Sequence, residues 1–472
     1  MSSHPLVVDL DGTLVKTDLL IESLLALLKR NPLYIVAVIL WLCKGKACLK
    51  RQIAQRVSLD VSTLPYHGEL LKTLKTQRAR GRRLVLATAA DERLARRVAD
   101  HLQLFDTVLS SDGITNLSGA AKRDRLVNEF GQQGFDYAGN SRADLAVWSM
   151  ARQAIVVNAG WRLLVAVARV ANVAQVYEDR TDSLRSYGRA LRLHQWFKNL
   201  LLFVPLLAVQ QGHMLALFGQ ASLACLAFGL CASSVYLLND LLDLHDDRQH
   251  PRKRRRPFAA GDLPLISGLI LMPILLGLSC IVCLFLPPAF LRILAVYYAL
   301  TLGYSFYFKK IVFLDVVVLA GLYTARLIAG CAAVATWLPF WMLGTATLLF
   351  LSLALIKRYA ELVSMRKVGG KQAKARSYRI HDGKLLAILG GGCGYVAVLA
   401  FALALYHADP EMLNHRYKLS WLLCAFLFYW ISHMWLSALR GGMHDDPVVF
   451  VLRDRVSHIV MACVVFTFMV TV

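Results

Sequence analysis

The sequence predicts two folds in one chain: an α/β domain with a helical cap, followed by an all-α domain of about nine membrane-spanning helices. Of the 472 residues, 57% are hydrophobic, and the mean hydropathy is +0.49. Soluble proteins are typically less apolar. Roughly the first 180 residues mix charged and apolar groups, whereas long apolar runs dominate from Trp196 onward. We therefore expect a soluble domain fused to a membrane domain.

Two strands are predicted near the start of the chain. The runs VVDLDGT (7–13) and RLVLATAAD (83–91) are apolar and β-branched and end in polar residues, as buried parallel strands do. Helical sequence separates them, and within it LYIVAVILWLC (33–43) is too short to span a membrane. This run fits either the core of a cap or the membrane surface, and we expect a cap helix that touches the bilayer. The predicted domains are 1–158, a linker helix at 159–188, and a membrane domain at 189–472.

The membrane domain contains apolar segments of the length needed to cross about 30 Å of hydrocarbon. Nine are predicted, near 197–211, 215–238, 264–284, 287–307, 311–333, 337–356, 385–406, 419–439 and 455–472.

The orientation of the spans follows from the loops. The chain enters a strand at once, without a basic and apolar leader, so we expect its first domain in the cytoplasm. Lys and Arg then fall in the loops that follow the second, fourth and sixth segments, as the positive-inside rule requires. These observations predict a multi-pass membrane protein whose first domain and cation-rich loops face the cytoplasm.

The formal net charge of +22 raises the question of whether the protein binds nucleic acid. No zinc-finger spacing or recognition module occurs, and the cations cluster in short loops between apolar runs. We expect no nucleic-acid partner. The only CxxC pair, Cys280 and Cys283, lies in the middle of a span with no second pair, so it is interpreted as small apolar helix residues.

Two carboxylates follow the first predicted strand. Asp9 and Asp11 are two residues apart at its carboxyl end, and Gly12 permits a tight exit. Ligands of open α/β sheets bind at that end. Such a pair can divide the work of phosphate hydrolysis: Asp9 attacks phosphorus, while Asp11 protonates the leaving oxygen and later activates water.

Residues 5–158 resemble the haloacid dehalogenase (HAD) superfamily of phosphatases, which has an α/β fold. The fourth motif of the family usually contains Asp-Asp or Asp-x-x-x-Asp. In this sequence the corresponding segment is YAGNSRAD, in which Asn140 replaces the first Asp and Asp144 is the second. An amide oxygen can ligate Mg²⁺ but brings no charge. An inactive domain kept as a platform is the alternative. The resemblance implies a DxDGT motif at Asp9 and Asp11, a phosphate-binding Thr88, a neutralising Lys122, and Mg²⁺ bound by Asp9, Asp11, Asn140 and Asp144.

A second group of carboxylates ends the second apolar segment, in NDLLDLHDDRQHPRKRRRP (239–257). Asp240, Asp243 and Asp247 recur at steps of three and four, which places them on one face of a helix. Clustered carboxylates at a membrane boundary are costly unless a cation lies among them. The pattern predicts a Mg²⁺-diphosphate site, with Lys253 and Arg256 beyond it for phosphate oxygens.

These residues resemble the NDxxDxxxD motif of the UbiA superfamily of intramembrane prenyltransferases, over about 189–472. Further segments resemble the branch of decaprenyl-phosphate phosphoribosyltransferases: RLHQWFKNLLLFVPL, HPRKRRRP, YSFYFKKIVFLDV, ARLIAG and LIKRYAEL. The resemblance implies catalytic, metal-binding carboxylates at Asp240, Asp243 and Asp247. It implies substrate-binding residues at Arg192, Lys198, Asn199, Asn239, Lys253, Arg256, Tyr304, Lys309, Arg326 and Lys357.

The sequence departs from aromatic prenyltransferases, which usually carry a second acidic motif between the fourth and fifth helices. That loop has only Asp315, accompanied by Tyr304, Lys309, Lys310 and, further along, Arg326. Fewer anions and more cations suit an additional phosphate.

The resemblances together imply a bifunctional enzyme. We expect Mg²⁺-dependent transfer of 5-phosphoribosyl from phosphoribosyl diphosphate to a polyprenyl phosphate, with one Mg²⁺ in each domain. The HAD-like domain would then remove the 5-phosphate of the product. An aromatic prenyltransferase that uses a polyprenyl diphosphate and a non-catalytic membrane scaffold are the alternatives, and a homo-oligomer stays open.

Overall fold

The computed structural model describes residues 4–179, 184–208, 214–367, 378–407, 415–443 and 447–471. Backbone packing divides the chain into two compact units. The first contains Met1–Arg192 and Tyr236–Pro273, and the second contains Leu193–Val235 and Ile274–Val472. The acidic motif thus belongs to the same compact unit as the α/β domain.

The first unit is built on a six-stranded parallel sheet of order β3-β2-β1-β4-β5-β6. Leu6 pairs with Leu84 on one side and with Asp136 on the other, so β1 is central. The strand order reverses between β1 and β4, which is where ligands bind in such sheets. The strands are β1 (Leu6–Val8), β2 (Leu84–Asp91), β3 (Thr107–Ser111), β4 (Asp136–Gly139), β5 (Gln153–Val157) and β6 (Val173–Tyr177).

Helices cover both faces of this sheet, and each face has its own apolar cluster. One cluster contains Leu10, Leu14 and Leu86, and the other contains Val85, Tyr137 and Trp148. The helices before the membrane domain are α1 (Leu19–Arg30), α2 (Tyr34–Cys43), α3 (Lys46–Arg56), α4 (Gly68–Ala79), α5 (Glu92–Leu102), α6 (Ala120–Phe130), α7 (Leu145–Trp148), α8 (Trp161–Val170) and α9 (Leu184–Ala190).

Helices α1, α2 and α3 form the cap between β1 and β2. Leu27, Val38, Leu49 and Ile53 are buried together at their centre. The apolar run predicted as a cap helix is α2, and the α/β fold with a helical cap is confirmed. The segment predicted as the linker, 159–188, contains α8 and the edge strand β6, and its residues 180–183 lie outside the described ranges.

The membrane domain is helical, as predicted. In the described residues, seven helices are long and apolar enough to cross a membrane by length and composition: α10 and α13 to α18. The helices are α10 (Met214–Leu242), α11 (Leu244–Gln249), α12 (Pro257–Ala260), α13 (Leu265–Cys283), α14 (Pro288–Phe306), α15 (Leu314–Ala333), α16 (Phe340–Lys367), α17 (Gly383–His407), α18 (His415–Leu439), α19 (Pro447–Val451) and α20 (Arg455–Thr471).

The other two predicted spans are present as shorter helices. Residues Leu193–Ala208 form a 3-10 helix that contains Pro205. A 3-10 helix rises about 2.0 Å per residue, against 1.5 Å in an α-helix, so these 16 residues cover about 32 Å. The last segment is α20, of 17 residues. Parts of the predicted first span (209–211) and of the loops 357–379 and 407–418 lie outside the described residues.

Candidate active sites

Two of the predicted phosphatase motifs meet at the carboxyl edge of the sheet. Asp9 follows β1, and its Oδ1 accepts a hydrogen bond from Lys122 Nζ at 2.7 Å. Lys122 lies on α6 and is only 3% exposed. Its Nζ also donates to the Tyr137 hydroxyl at 3.0 Å. The lysine therefore neutralises Asp9 where water is largely excluded, and where a phosphate would bring further negative charge.

Tyr137 connects this pair to the fourth motif. Its hydroxyl donates to Asp144 Oδ1 at 2.6 Å, and Lys122 Nζ lies 3.8 Å from the same oxygen. Asp144 Oδ2 accepts from the backbone N–H groups of Asn140 and Ser141 at 3.2 and 3.0 Å, and from the Ser141 hydroxyl at 2.8 Å. Tyr137 was missed in the sequence, where a single hydroxyl inside an apolar strand gives little signal.

Two glycines let the DLDGT turn and the fourth motif approach each other. Gly12 has a φ of +74°, and a Cβ there would lie 2.0 Å from Asn140 Nδ2. A Cβ on Gly139 would lie 2.9 Å from Asp144 Cγ. Larger residues would force the DLDGT turn away from the fourth motif. The Asn140 amide, which replaces the expected carboxylate, thus lies against the turn that carries Asp9 and Asp11.

Asp11 is held by the cap. Its Oδ1 accepts a hydrogen bond from the backbone N–H of Leu19, the first residue of α1, at 2.8 Å. Burial raises the pKa of Asp11 to about 8, and the nearby Asp18 and Asp9 add to the rise. A carboxyl with that pKa keeps its proton at neutral pH, which is the state needed to protonate a leaving oxygen.

Asp9 differs from Asp11 in its protonation state. Burial raises the pKa of Asp9 to about 6, although Lys122 opposes the rise. Burial by itself would lower the pKa of Lys122, but the negative charges of Asp9 and Asp144 have the larger effect and raise it overall. We take the pair as ionised at neutral pH. The two carboxyls of the DxD motif therefore differ in the way that a nucleophile and a general acid require.

Thr88 lies in β2 and is fully buried. Its Oγ1 accepts a hydrogen bond from the Ala90 N–H at 3.0 Å, so its own O–H stays available as a donor. Beside it, Lys50 of the cap donates to the Ala89 carbonyl at 2.6 Å and to Asn116 Oδ1 at 2.7 Å. Burial lowers the pKa of Lys50, and Asp11 opposes that shift. Lys50 was not among the predicted site residues.

The predicted metal ligands of this domain are all oxygen donors, the type that Mg²⁺ prefers. Across the described ranges, no group of three or more His, Cys, Asp or Glu side chains is close enough to hold a metal ion. Mg²⁺ commonly takes only one or two protein carboxylates and completes its shell with water and substrate phosphate. Asp9, Asp11, Asn140 and Asp144 fit such a site by donor chemistry, and this assignment stays a prediction.

The acidic motif does not lie on one uninterrupted helix, which corrects the sequence prediction. Helix α10 ends at Leu242, Asp243 lies in the turn, and α11 begins at Leu244. Hydrogen bonds from Asp243 N to Asn239 O at 2.9 Å and from Asp247 N to Asp243 O at 2.8 Å continue across the turn. The four-residue spacing is therefore kept through a local break in the helix.

Asp240 and Asp247 share a cation. Arg256 Nη1 lies 3.1 Å from Asp240 Oδ1 and 2.6 Å from Asp247 Oδ2. Asp240 also pairs with Arg192, whose guanidinium stacks 4.9 Å from the centre of the Tyr236 ring. Both carboxylates are 2% exposed. Two buried carboxylates thus converge on one cationic position, which fits them to hold Mg²⁺.

Burial raises the pKa of Asp247 to about 6, although Arg256 opposes the rise. Arg256 bridges the two carboxylates, and its predicted role in binding phosphate oxygens stays a prediction. The other predicted residues here are less enclosed. Asn239 is half-buried, and Lys253 is exposed in the short helix Lys253–Arg255 that follows His250.

Asp243 is engaged differently from the other motif carboxylates. Lys29, near the end of α1, donates to Asp243 Oδ1 at 2.7 Å and to Asp246 Oδ2 at 2.8 Å. Alongside this contact, Glu22 of α1 forms a two-pronged ion pair with Arg248 of α11, and both side chains are 5% exposed. The cap of the α/β domain thus binds the acidic motif directly.

In the second unit, Arg326 of α15 is 5% exposed. Its Nη1 donates to the Leu322 carbonyl at 2.7 Å, its Nη2 to the Tyr297 hydroxyl at 3.0 Å, and its Nε to Asn199 Oδ1 at 3.3 Å. The guanidinium also lies 5.1–5.3 Å from the centres of the Phe228, Tyr297 and Tyr323 rings. Two predicted substrate-binding residues, Asn199 and Arg326, are therefore in contact.

A groove of about 260 Å³ opens in the same unit, lined mainly by apolar side chains. Two of the predicted substrate-binding residues, Lys198 and Lys357, line it. Lys198 Nζ lies 5.7 Å from the centre of the Tyr323 ring. The other lining residues are Phe197, Leu200, Leu201, Val204, Leu319, Phe350, Leu353, Ala354 and Pro447. An apolar groove with two ammonium groups suits a ligand with an apolar body and an anionic head.

Asp315 is fully buried at the start of α15. Arg358 Nε donates to its Oδ2 at 2.6 Å, and the Tyr378 hydroxyl donates to its Oδ1 at 2.7 Å. Arg358 also donates to the Tyr304 hydroxyl at 2.8 Å, while Lys309 is half-buried in the helix Phe308–Lys310. Arg358 was missed because its neighbour in LIKRYAEL, Lys357, carried the resemblance.

Family models now place both parts of the chain. The model of the UbiA prenyltransferase family matches residues 199–441, which is more than half of the sequence. The chain belongs to the UbiA family. The model of haloacid dehalogenase-like hydrolases matches residues 6–148. The predicted fusion of a HAD domain with a UbiA domain is therefore confirmed. The two families also confirm the prediction that the protein is an enzyme and an integral membrane protein.

Relatives of this UbiA protein fall into two groups by coverage. An uncharacterized protein, y4nM of Sinorhizobium fredii, is 33% identical over 98% of this chain and 90% of its own. Two others match 57% of this chain. Nodulation protein NoeC of Azorhizobium caulinodans is 34% identical, and decaprenyl-phosphate phosphoribosyltransferase of Mycolicibacterium smegmatis is 32% identical, each over 87% of its own length.

Proposed function

We propose that this UbiA-family enzyme transfers the 5-phosphoribosyl group of phosphoribosyl diphosphate to a polyprenyl phosphate. The environment of Asp315 carries the proposal. An aromatic prenyltransferase would need a second acidic metal site in this loop, but both oxygens of Asp315 accept hydrogen bonds, from Arg358 and Tyr378. The Arg358 side chain is only 2% exposed, so it stays on Asp315 and leaves it a poor ligand for a cation. Arg256, which pairs with Asp240 and Asp247, is 27% exposed and can give way to a metal ion.

The acceptor would lie in the apolar groove of the second unit. A polyprenyl tail suits its leucine, valine and phenylalanine lining, and the phosphate suits Lys198 and Lys357. Arg326 is a further candidate for phosphate because its guanidinium is desolvated and held by three hydrogen bonds. Similarity to a decaprenyl-phosphate phosphoribosyltransferase supports the same class of acceptor.

The donor diphosphate would be bound at the acidic motif. Asp240, Asp243 and Asp247 would hold Mg²⁺, and the ion would supply positive charge to the leaving diphosphate. The acceptor phosphate oxygen attacks ribosyl C1, the bond from C1 to the diphosphate oxygen breaks, and diphosphate departs. No base is needed because the acceptor is already an anion. Arg192, Asn239, Lys253 and Arg256 of the first unit, and Tyr304 and Lys309 of the second, are proposed to bind substrate.

The HAD domain is proposed to remove the 5-phosphate from the lipid product. Asp9 attacks the phosphorus and forms an aspartyl phosphate, while Asp11 gives its proton to the departing ribose oxygen. Water, deprotonated by Asp11, then releases inorganic phosphate. The contact of Asp9 with Lys122 and the raised pKa of Asp11 support these roles. We place this domain, as residues 1–158, in the cytoplasm of a bacterium, ahead of a linker at 159–188 and the transferase at 189–472.

Labelled substrates test the transferase. Purified protein with Mg²⁺ is incubated either with phosphoribosyl diphosphate and polyprenyl phosphate, or with polyprenyl diphosphate and an aromatic acceptor. We expect label from the first pair alone to enter lipid. Asp240→Asn should abolish this transfer, while Asp262→Asn, which alters a carboxylate outside the motif that pairs with Arg189, should retain it. Transfer of the polyprenyl label instead would identify an aromatic prenyltransferase, and no change on Asp240→Asn would favour a scaffold.

Mass spectrometry of the lipid products tests the phosphatase. Asp9→Asn should cause the 5-phosphorylated lipid to accumulate without slowing its formation. Asp100→Asn, an exposed change on α5 of the same domain, serves as the control. Unchanged dephosphorylation in Asp9→Asn would refute the assignment.

A further inference from the structure

Helix α2 of the cap exposes an unusually apolar face. Only Val38 is buried on this helix, where it packs with Leu27, Leu49 and Ile53. The side that faces away from the cap is large and aliphatic. Its exposed residues are Ile35 (47%), Val36 (61%), Ile39 (56%), Leu40 (60%) and Leu42 (51%), and Leu33 (77%) is exposed immediately before the helix. Apolar patches of this kind are rare on soluble surfaces and mark a site of contact with a partner or a membrane.

The charge around this face identifies the partner. Between Glu22 and Asp60 the sequence has no Asp or Glu, but it has seven Lys and Arg residues. Of these, Arg30, Lys44 and Lys46 flank α2 and are exposed. A protein partner would need a matching acidic rim, whereas the anionic headgroups of a bilayer supply it at every point. The chain itself is integral to a membrane, so such a surface is always close.

The length of α2 defines how it can meet the bilayer. Ten residues at about 1.5 Å each give a helix of about 15 Å, half of the hydrocarbon thickness. It cannot span. Trp41 at its far end is covered by the Arg56 guanidinium, 4.7 Å from the ring centre, an arrangement that suits the boundary between headgroups and acyl chains.

We propose that α2 inserts its exposed face into the headgroup boundary of an anionic bilayer and so anchors the cap of the phosphatase to the membrane. The basic residues at both ends contact lipid phosphates, and the aliphatic residues enter the acyl region. The cap then holds the Asp9 site close to substrates that stay in the bilayer. This step rests on the proposed function of the HAD domain. Lipid-linked phosphates would be favoured over soluble ones without any change at the catalytic carboxyls.

Spin labels on the full chain in nanodiscs test the anchor. A nitroxide at Ile39→Cys, in a background whose other cysteines are replaced, should collide more with oxygen than with a polar nickel complex in discs that contain phosphatidylglycerol. A label at Asp100→Cys, on the exposed part of α5, should show the reverse preference. Equal water accessibility at both sites would overturn the proposal, as would strong coupling between labels of two copies, which would make α2 a dimer contact.

The same surface can be tested by activity. The double variant Ile39→Asp and Leu40→Asp should raise KM for the lipid-linked 5-phosphate about tenfold or more, with hydrolysis of p-nitrophenyl phosphate unchanged. Unchanged KM for the lipid would refute the presentation of substrate by the cap. If the HAD domain is not the phosphatase, Asp9→Asn will leave the hydrolysis of both substrates intact. The spin labels would still show α2 in the bilayer, so the two failures can be told apart.

Discussion

Lys29 and Asp243 form an ion pair between the cap of the HAD domain and the metal-binding motif proposed for the transferase, with Nζ 2.7 Å from Oδ1. The same helix, α1, donates the Leu19 N–H to Asp11 at its other end. One helix of 12 residues therefore contacts a carboxyl from each proposed active site. A cation that binds Asp243 must compete with Lys29 for it, which connects metal binding at the transferase to the position of the cap.

This competition predicts the effect of Lys29→Met. A hydrogen bond between charged groups contributes about 1.5–3 kcal/mol, so its loss should tighten binding of a divalent cation about tenfold or more. Titration of Mn²⁺ in the presence of inorganic pyrophosphate, followed by electron paramagnetic resonance, measures the affinity directly. The Mg²⁺ concentration that gives half-maximal transfer should fall in parallel.

Two further variants separate competition from general damage to the cap. Lys29→Arg keeps the charge and should bind Mn²⁺ as the wild type does. Lys44→Met removes an exposed charge elsewhere in the cap and should also have no effect. Weaker binding in Lys29→Met would mean that the lysine positions Asp243 for the metal and does not compete with it.

The variant Arg326→Lys tests whether transfer depends on the guanidinium of Arg326 in the second unit. A lysine keeps the charge but cannot reproduce three hydrogen bonds and the contacts with three aromatic rings. We expect transfer of labelled phosphoribose to lipid to fall about 100-fold. Arg292→Lys, an exposed change on α14, is the matched control and should retain full activity. Activity close to the wild type in Arg326→Lys would show that charge alone is needed there.

Tyr137→Phe removes the hydroxyl that lies between Lys122 and Asp144. Among the described residues, Asp9 would then be the one remaining hydrogen-bond partner of Lys122 Nζ, so we expect kcat for p-nitrophenyl phosphate to fall about tenfold with little change in KM. Tyr177→Phe removes a hydroxyl bonded to Thr73 in the same domain and should leave kcat unaltered. An equal loss in both variants would indicate a general effect on stability.

The sequence predicted those features that depend on local pattern. Asp9 and Asp11 were found because a strand and the turn after it are adjacent in the chain. Lys29 and Asp243 are 214 residues apart, and nothing local in either segment predicts their contact. The pairing of Arg358 with Asp315 joins two helices and was missed for the same reason. Strand β6 was included in the predicted linker helix because only Ala171 and Asn172 separate it from α8, and both elements are rich in Val and Ala.

His67 gives the HAD domain a dependence on pH that is separate from both sites. Its Nδ1 accepts the Leu70 N–H at 3.2 Å and caps α4, while its Nε2 is buried without a hydrogen-bond partner among the described residues. Burial lowers its pKa below 6.5; the nearby Lys16 also lowers it, while Asp179 and Glu69 oppose the shift. Protonation would charge a buried ring and remove the acceptor that caps the helix.

The unfolded state therefore binds a proton at His67 before the folded state does. The stability that neutral His67 contributes is complete above its unfolded pKa of about 6.5 and is lost as pH falls through the lower, folded value. His67→Asn keeps a capping acceptor but cannot titrate. Pulse proteolysis of the full chain in urea, between about pH 5.5 and pH 7.5, should therefore show a steeper loss of stability on acidification in the wild type than in the variant. Parallel curves would mean that His67 binds its proton equally in both states, and that the acid sensitivity of the domain comes from its carboxyls.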